Sequence, residues 1–227
     1  MQNVYETLHE VREHCGNRTL EGCLVQKVDL SVLDFEEYSL DSVSFRSVGL
    51  GGVSFHKANL FQVAFNGVQL RKTSFAAAHV YGSRFQKSEL IETAFIGTLL
   101  EQTNFYDVRL TNASFAGARI LNSRFQGADL YGASFDRSMV MHSSFVEPRL
   151  DNAQLTGGKF RNAVLIDVDL HGANLYGADF TNALLVKVDL RDTNLMNACF
   201  DGCRFVDVAT DRADMEDAQR RALTGGQ

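Results

Sequence analysis

The 227-residue sequence has no tryptophan, a single proline (Pro148), only four cysteines and no apolar run of roughly 18 residues. Each shortage excludes a class. Without a long apolar run no helix is expected to span a bilayer. Four cysteines are too few for a disulfide scaffold. One proline and no Ser/Gly/Pro-rich stretch leave no linker, so a single continuous unit is expected. Residues Met1 to Asn17 carry acidic groups where a secretory leader needs a basic start and an apolar block, which points to the cytoplasm. The formal net charge of −6 does not suit direct nucleic-acid binding. What the chain does have is 17 phenylalanines and 45% apolar residues, too much apolar material for disorder.

The phenylalanines are not scattered. Every fifth position from Leu20 to Phe205, 38 positions in all, is Leu, Phe, Val or Ile, without an insertion or deletion. Sixteen of the 17 phenylalanines lie on this grid, and only Phe61 does not. Two residues before each grid position, 35 of 38 residues are Ala, Ser, Thr, Val, Gly, Cys or Pro, the exceptions being Arg18, Leu33 and Tyr38. A period of five matches neither the 3.6 of a helix nor the 2 of a strand, so each pentad must run along one short side and turn a corner. From Phe35 to Phe145 phenylalanine recurs every ten residues, and Phe160, Phe180 and Phe200 recur every twenty. A four-sided, 20-residue coil stacks like on like along each wall, whereas a triangular 15-residue coil would alternate Phe with Leu. The four-sided coil is the better reading. Stacked at roughly 4.8 Å per strand, about nine coils make a rod about 45 Å long, with Phe85, Phe105, Phe125, Leu130 and Leu170 representative of its core.

These pentads, such as Ala128-Asp129-Leu130-Tyr131-Gly132 and Ala173-Asn174-Leu175-Tyr176-Gly177, resemble the consensus A(D/N)LXX of the pentapeptide-repeat family over residues 18–207. The resemblance implies an all-β solenoid, a right-handed quadrilateral β-helix. Its open sheet edges need cover. Val4, Leu8, Val11 and Cys15 fall at helical spacing, so residues 1–17 read as a capping helix, with the oversized Leu33 and Tyr38 at its junction. Residues 208–227 read as a second cap, with a helix from Asp211 to Leu223 and the final Gly225-Gly226-Gln227 as a tail.

A filled interior and flat walls leave no pocket for catalysis, so no enzyme activity and no cofactor are expected. The histidines (His9, His14, His56, His79, His142, His171) share no metal-ligand spacing and read as surface groups. Cys199 and Cys203 are four apart, but Cys203, like Cys23, occupies a small inward place and needs no metal. Gly157-Gly158-Lys159 lacks the rest of a phosphate loop and falls inside the repeat.

Function is therefore sought on the outer walls. On the wall centred on Leu165, Val146, Val164, Ile166, Leu184, Val186 and Val206 stack as one apolar patch, expected to serve self-association as a homodimer or to bind a partner. It begins at the seam where, after Phe145 and Pro148, phenylalanine changes walls. On the wall centred on Leu170, acidic residues including Asp129, Asp151, Asp169, Asp189 and Asp192 outnumber basic ones, for a balance of −3, while the Leu165 wall carries +3. Family members of the quinolone-resistance and gyrase-inhibitor type are dimeric rods whose acidic surface resembles duplex DNA. The resemblance thus implies a DNA mimic that binds DNA gyrase or topoisomerase IV and protects it from poisons. The chain departs from that type in having neither coil-interrupting loops nor an apolar C-terminal segment. The alternative is a rigid scaffold or adaptor, for instance beside a secretion or envelope apparatus. No membrane contact is expected in either case.

Overall fold

The computed structural model describes residues 3–224, and the expected tail at 225–227 lies outside the described residues. A parallel solenoid coils with a 20-residue step, so that each residue pairs with the one twenty places on: Phe85 faces Phe105, which faces Phe125. Four walls result. The Leu165 wall (central residues 25, 45 … 205) is an 11-stranded parallel sheet. The Leu100 wall (20, 40 … 140) is a 7-stranded one, continued by single bridges through Lys159, Asp179 and Cys199. The Leu170 and Phe115 walls are joined by single bridges, such as Asp129 with Arg149 and Ser114 with Ser134.

The corners explain how a period of five is possible. The residue two places after each grid position has φ between +48° and +73°, from Gly22 through Asp207, with Val32 the one exception. A left-handed residue reverses the chain tightly, and it is cheap for Gly and tolerable for Asn and Asp. A β-branched side chain resists it, and Val32 takes another conformation.

All 38 grid side chains are buried. The phenylalanines stack along their walls, with Phe85 and Phe105 4.9 Å apart and 3° from parallel. Columns on opposite walls meet edge to face, as Phe95 and Phe105 do at 5.8 Å and 90°. Hydroxyls at the small inward places donate to carbonyls, either one coil back, as Thr93 Oγ1 does to Leu70 at 2.8 Å, or within the coil, as Thr193 Oγ1 does to Leu190 at 2.6 Å, which satisfies these buried donors.

Two boundaries differ from the reading of the sequence. Residues 1–17 are not one helix: Asn3–Tyr5 forms a strand paired with Cys23, Leu24 and Val25, and Tyr5 occupies a grid place. Val4, expected on the helix's apolar face, is 46% exposed. The helix α1 is Leu8–His14, started by a capping box between Thr7 and Glu10. The extra strand brings the solenoid to about ten coils. At the other end the coil persists through Ala209 and Asp214, and the helix α2, Asp217–Thr224, starts later than expected. Gln219 is buried and donates to the carbonyls of Leu195 and Ala198 at 2.6 and 2.8 Å, covering a sheet edge that would otherwise be open.

Candidate functional site

The apolar residues of the Leu165 wall come together as one patch. The 20-residue register puts Val146, Ile166, Val186 and Val206 in one column and Val164 beside Leu184 in the next. Five of the six are half-buried, and Val206 is 51% exposed. Here the short strands of earlier coils give way to six-residue ones, Val164–Asp169 and Leu184–Asp189, which carry the sheet past the corner. The patch is bordered by polar groups: Ser144 and Arg204 continue its second column, and Lys187 pairs with Asp167 at 3.7 Å. An apolar centre with a charged rim is the anatomy of a protein interface.

The acidic face of the Leu170 wall is neutralised over most of its length. Arg149 stands between Asp151, at 2.7 Å, and Asp129, at 3.8 Å, and its guanidinium also lies 4.7 Å from the centre of the Tyr131 ring. Arg191 grips Asp189 through two nitrogens at 2.5 to 3.0 Å. Asp192 receives Arg212 at 2.6 Å and His171 at 3.1 Å. The Arg191 hydrogen bond holds the Asp189 carboxyl below its ordinary range, and Arg212 does the same for Asp192. Of the five candidate carboxylates only Asp169 has no ion-pair partner among the described residues, and it accepts the His171 backbone N–H. The net-acidic wall read from the sequence is thus a row of mixed charge, because residues twenty apart and those across a corner bring Arg and Asp side by side.

The Leu100 wall corrects the expectation of uniformly flat walls. Phe61, set apart as the one off-grid phenylalanine, points outward, is 42% exposed and stacks on Tyr81 at 5.4 Å and 2°. The pair lines a recess of about 480 Å³ with Ser39, Asp41, Asn59, Leu60, His79 and Glu101. The spacing of twenty between Phe61 and Tyr81 was the available signal.

The Cys23 and Cys203 thiols are inward, as their places on the grid imply. Burial pushes Cys23 and Cys203 up to about 11, and Cys203 Sγ donates to the Phe180 carbonyl at 2.8 Å. Among the described residues, no three His, Cys, Asp or Glu side chains converge to hold a metal ion. No helix among them is long and apolar enough to cross a membrane.

Comparison with known proteins agrees with this geometry. The family model for a pentapeptide repeat region matches residues 58–135, and that for pentapeptide repeats (8 copies) matches 149–185 and 173–208. No curated protein matches the sequence. Among solved structures, the fold is similar to full-length QnrB1, a plasmid-mediated fluoroquinolone resistance protein, at 14% identity over 89% of this chain and 98% of that one, with a TM-score of 0.50. HetL, a protein involved in heterocyst differentiation regulation from a Nostoc cyanobacterium, shows 20% identity over 94% and 98% of the two chains, with a TM-score of 0.40. A protein from the Arabidopsis thaliana thylakoid lumen shows 27% identity over 49% and 67%, with a TM-score of 0.24. The family models together span more than half of the chain, so the chain belongs to the pentapeptide-repeat family.

Proposed function

We propose that the protein is a non-enzymatic, rod-shaped binding protein of the cytoplasm that uses its C-terminal coils to hold a protein partner, in the first instance a second copy of itself. The observation that carries this is the contiguous patch of Val146, Val164, Ile166, Leu184, Val186 and Val206 on adjacent in-register strands. Outward apolar residues at scattered sites need no explanation, but six on adjacent in-register strands form the contiguous kind of patch that marks an interface. A rigid rod with an interface near one end holds whatever its other coils bind at a fixed distance, which is the work of an adaptor. Native mass spectrometry at micromolar concentrations tests this: a dimer is expected, and a monomer throughout the range contradicts it.

The narrower reading is a duplex-DNA mimic that protects gyrase or topoisomerase IV. It needs regularly spaced negative charge, because the partner's groove is built for phosphates. Arg149, Arg191 and Arg212 interrupt that charge on the Leu170 wall, so the adaptor reading is preferred. A supercoiling assay separates the two: inhibition of purified gyrase, or rescue from a quinolone, at micromolar protein would restore the mimic.

A further inference from the structure

We infer that the recess on the Leu100 wall binds an extended, basic segment of a partner protein, with two cationic side chains four residues apart and an apolar one midway between them. The argument starts from one outward column. Strand register places Asp41, Phe61, Tyr81 and Glu101 directly above one another on successive coils. Two aromatic rings, parallel and 5.4 Å apart, are therefore bracketed by a carboxylate at either end. The recess they line contains no lysine or arginine.

The carboxylates here differ from those of the Leu170 wall, where arginines supply the counter-charge. Among the described residues the Asp41 carboxylate accepts a hydrogen bond only from the Ser42 hydroxyl, at 2.7 Å. Glu101 has His79 at 3.1 Å and no other ion-pair partner among the described residues. An arginine or lysine entering at either end of the recess would gain the carboxylate there and the face of the terminal ring beside it, the combination that favours a cation over a neutral group.

Spacing makes the ligand more specific. Successive coils are about 4.8 Å apart, so Asp41 and Glu101 stand about 14 Å apart, with the midpoint of the two rings at about 7 Å. Side chains on one face of an extended peptide recur every ~6.8 Å. Residues n and n+4 of such a segment therefore reach the two carboxylates, while n+2 rests against the exposed ring edges. An acidic peptide or a nucleic acid would meet like charge at both ends.

The test uses a fluorescein-labelled nine-residue peptide, Gly-Ser-Arg-Ser-Leu-Ser-Arg-Ser-Gly, and the full chain, read by fluorescence anisotropy. Saturable binding is expected that weakens as salt rises. A Phe61→Ser/Tyr81→Ser variant should bind at least tenfold more weakly, and so should Asp41→Asn/Glu101→Gln, which keeps shape and removes charge. Circular dichroism should be unchanged in both, since the four side chains face outward. No saturable binding up to millimolar peptide, equal binding by both variants, or equal binding of a peptide with glutamate in place of arginine would overturn the inference. So would a dimer of the wild type that only Phe61→Ser/Tyr81→Ser dissociates, because the stripe would then be a self-interface. The patch on the Leu165 wall is untouched in all of these proteins, so its own failure would be seen separately.

Discussion

The coils before Pro148 carry two columns of phenylalanine on opposite walls, whereas those after it carry one, on the Leu100 wall. Before the seam each ring lies face to face with its neighbours along the column and edge-on to the opposite column: Phe105 touches Phe85, Phe125, Phe95 and Phe115. At the seam Phe160 meets Phe135 and Phe145 at 58° and 56°, and beyond it Phe180 touches only Phe160 and Phe200. The 20-residue register passes through this change intact. The coil is thus set by left-handed corners and the backbone ladder, and the walls can exchange ring columns without losing it. The outward apolar patch begins at the same place, so one stretch of chain alters both what the rod is filled with and what it shows.

The comparison breaks most visibly in the core. Phe105→Asp puts a charge among stacked rings and should prevent folding altogether. Phe105→Ala should cost about 3–5 kcal/mol, and Phe180→Ala about 1 kcal/mol less, because Phe180 has two ring partners where Phe105 has four. Denaturant midpoints measure this, and equal losses would erase the distinction between the two regions.

A smaller effect is expected at the corners, which the two regions share. Gly177 has φ +65° and open space around it, so Gly177→Val isolates backbone strain and should cost about 1–3 kcal/mol. Gly177→Asn should cost less. Equal stability for the two would mean that the corner does not demand a left-handed residue.

The ends of the rod differ in access to their thiols. Cys23 is fully buried, whereas Cys203 is partly exposed. At pH 8 iodoacetamide should modify Cys203 before Cys23, which should react only as the chain unfolds. Both thiols are held at about 11 in the folded state. The unfolded chain therefore loses their protons first, and stability should fall as pH rises from about 8.5 towards 11. The smallest effect belongs to the ion pairs: Arg191→Ala should leave the midpoint at neutral pH almost unchanged, since the pair is exposed to water. Its sign still shows in acid. The lowered Asp189 carboxyl contributes stability above its unfolded pKa of about 4 that is lost as pH falls through the folded value, and Arg191→Ala should flatten that loss.

The grid made the solenoid, its four walls and its buried residues legible, because each depends on a period that no irregular loop disturbs. The ends were harder to read. Val4 fits a helical spacing with Leu8 and Val11, yet Tyr5 stands on the grid and its segment pairs as a strand. The Thr7 and Glu10 capping box was the better signal for where α1 begins. On the surface, collecting residues every twenty positions identified the apolar patch, whose members depend only on register. The acidic wall could not be judged this way, because whether Arg149 and Arg191 neutralise Asp151 and Asp189 depends on side-chain reach within a corner. Phe61 was overlooked because the grid separated core from surface and drew attention to the core.

The claim that the C-terminal coils form the interface is tested most directly by light scattering on the wild type beside Ile166→Asp/Val186→Asp. The wild type should have the mass of a dimer and the variant that of a monomer, with the same circular dichroism spectrum. Equal masses for the two folded proteins would contradict it.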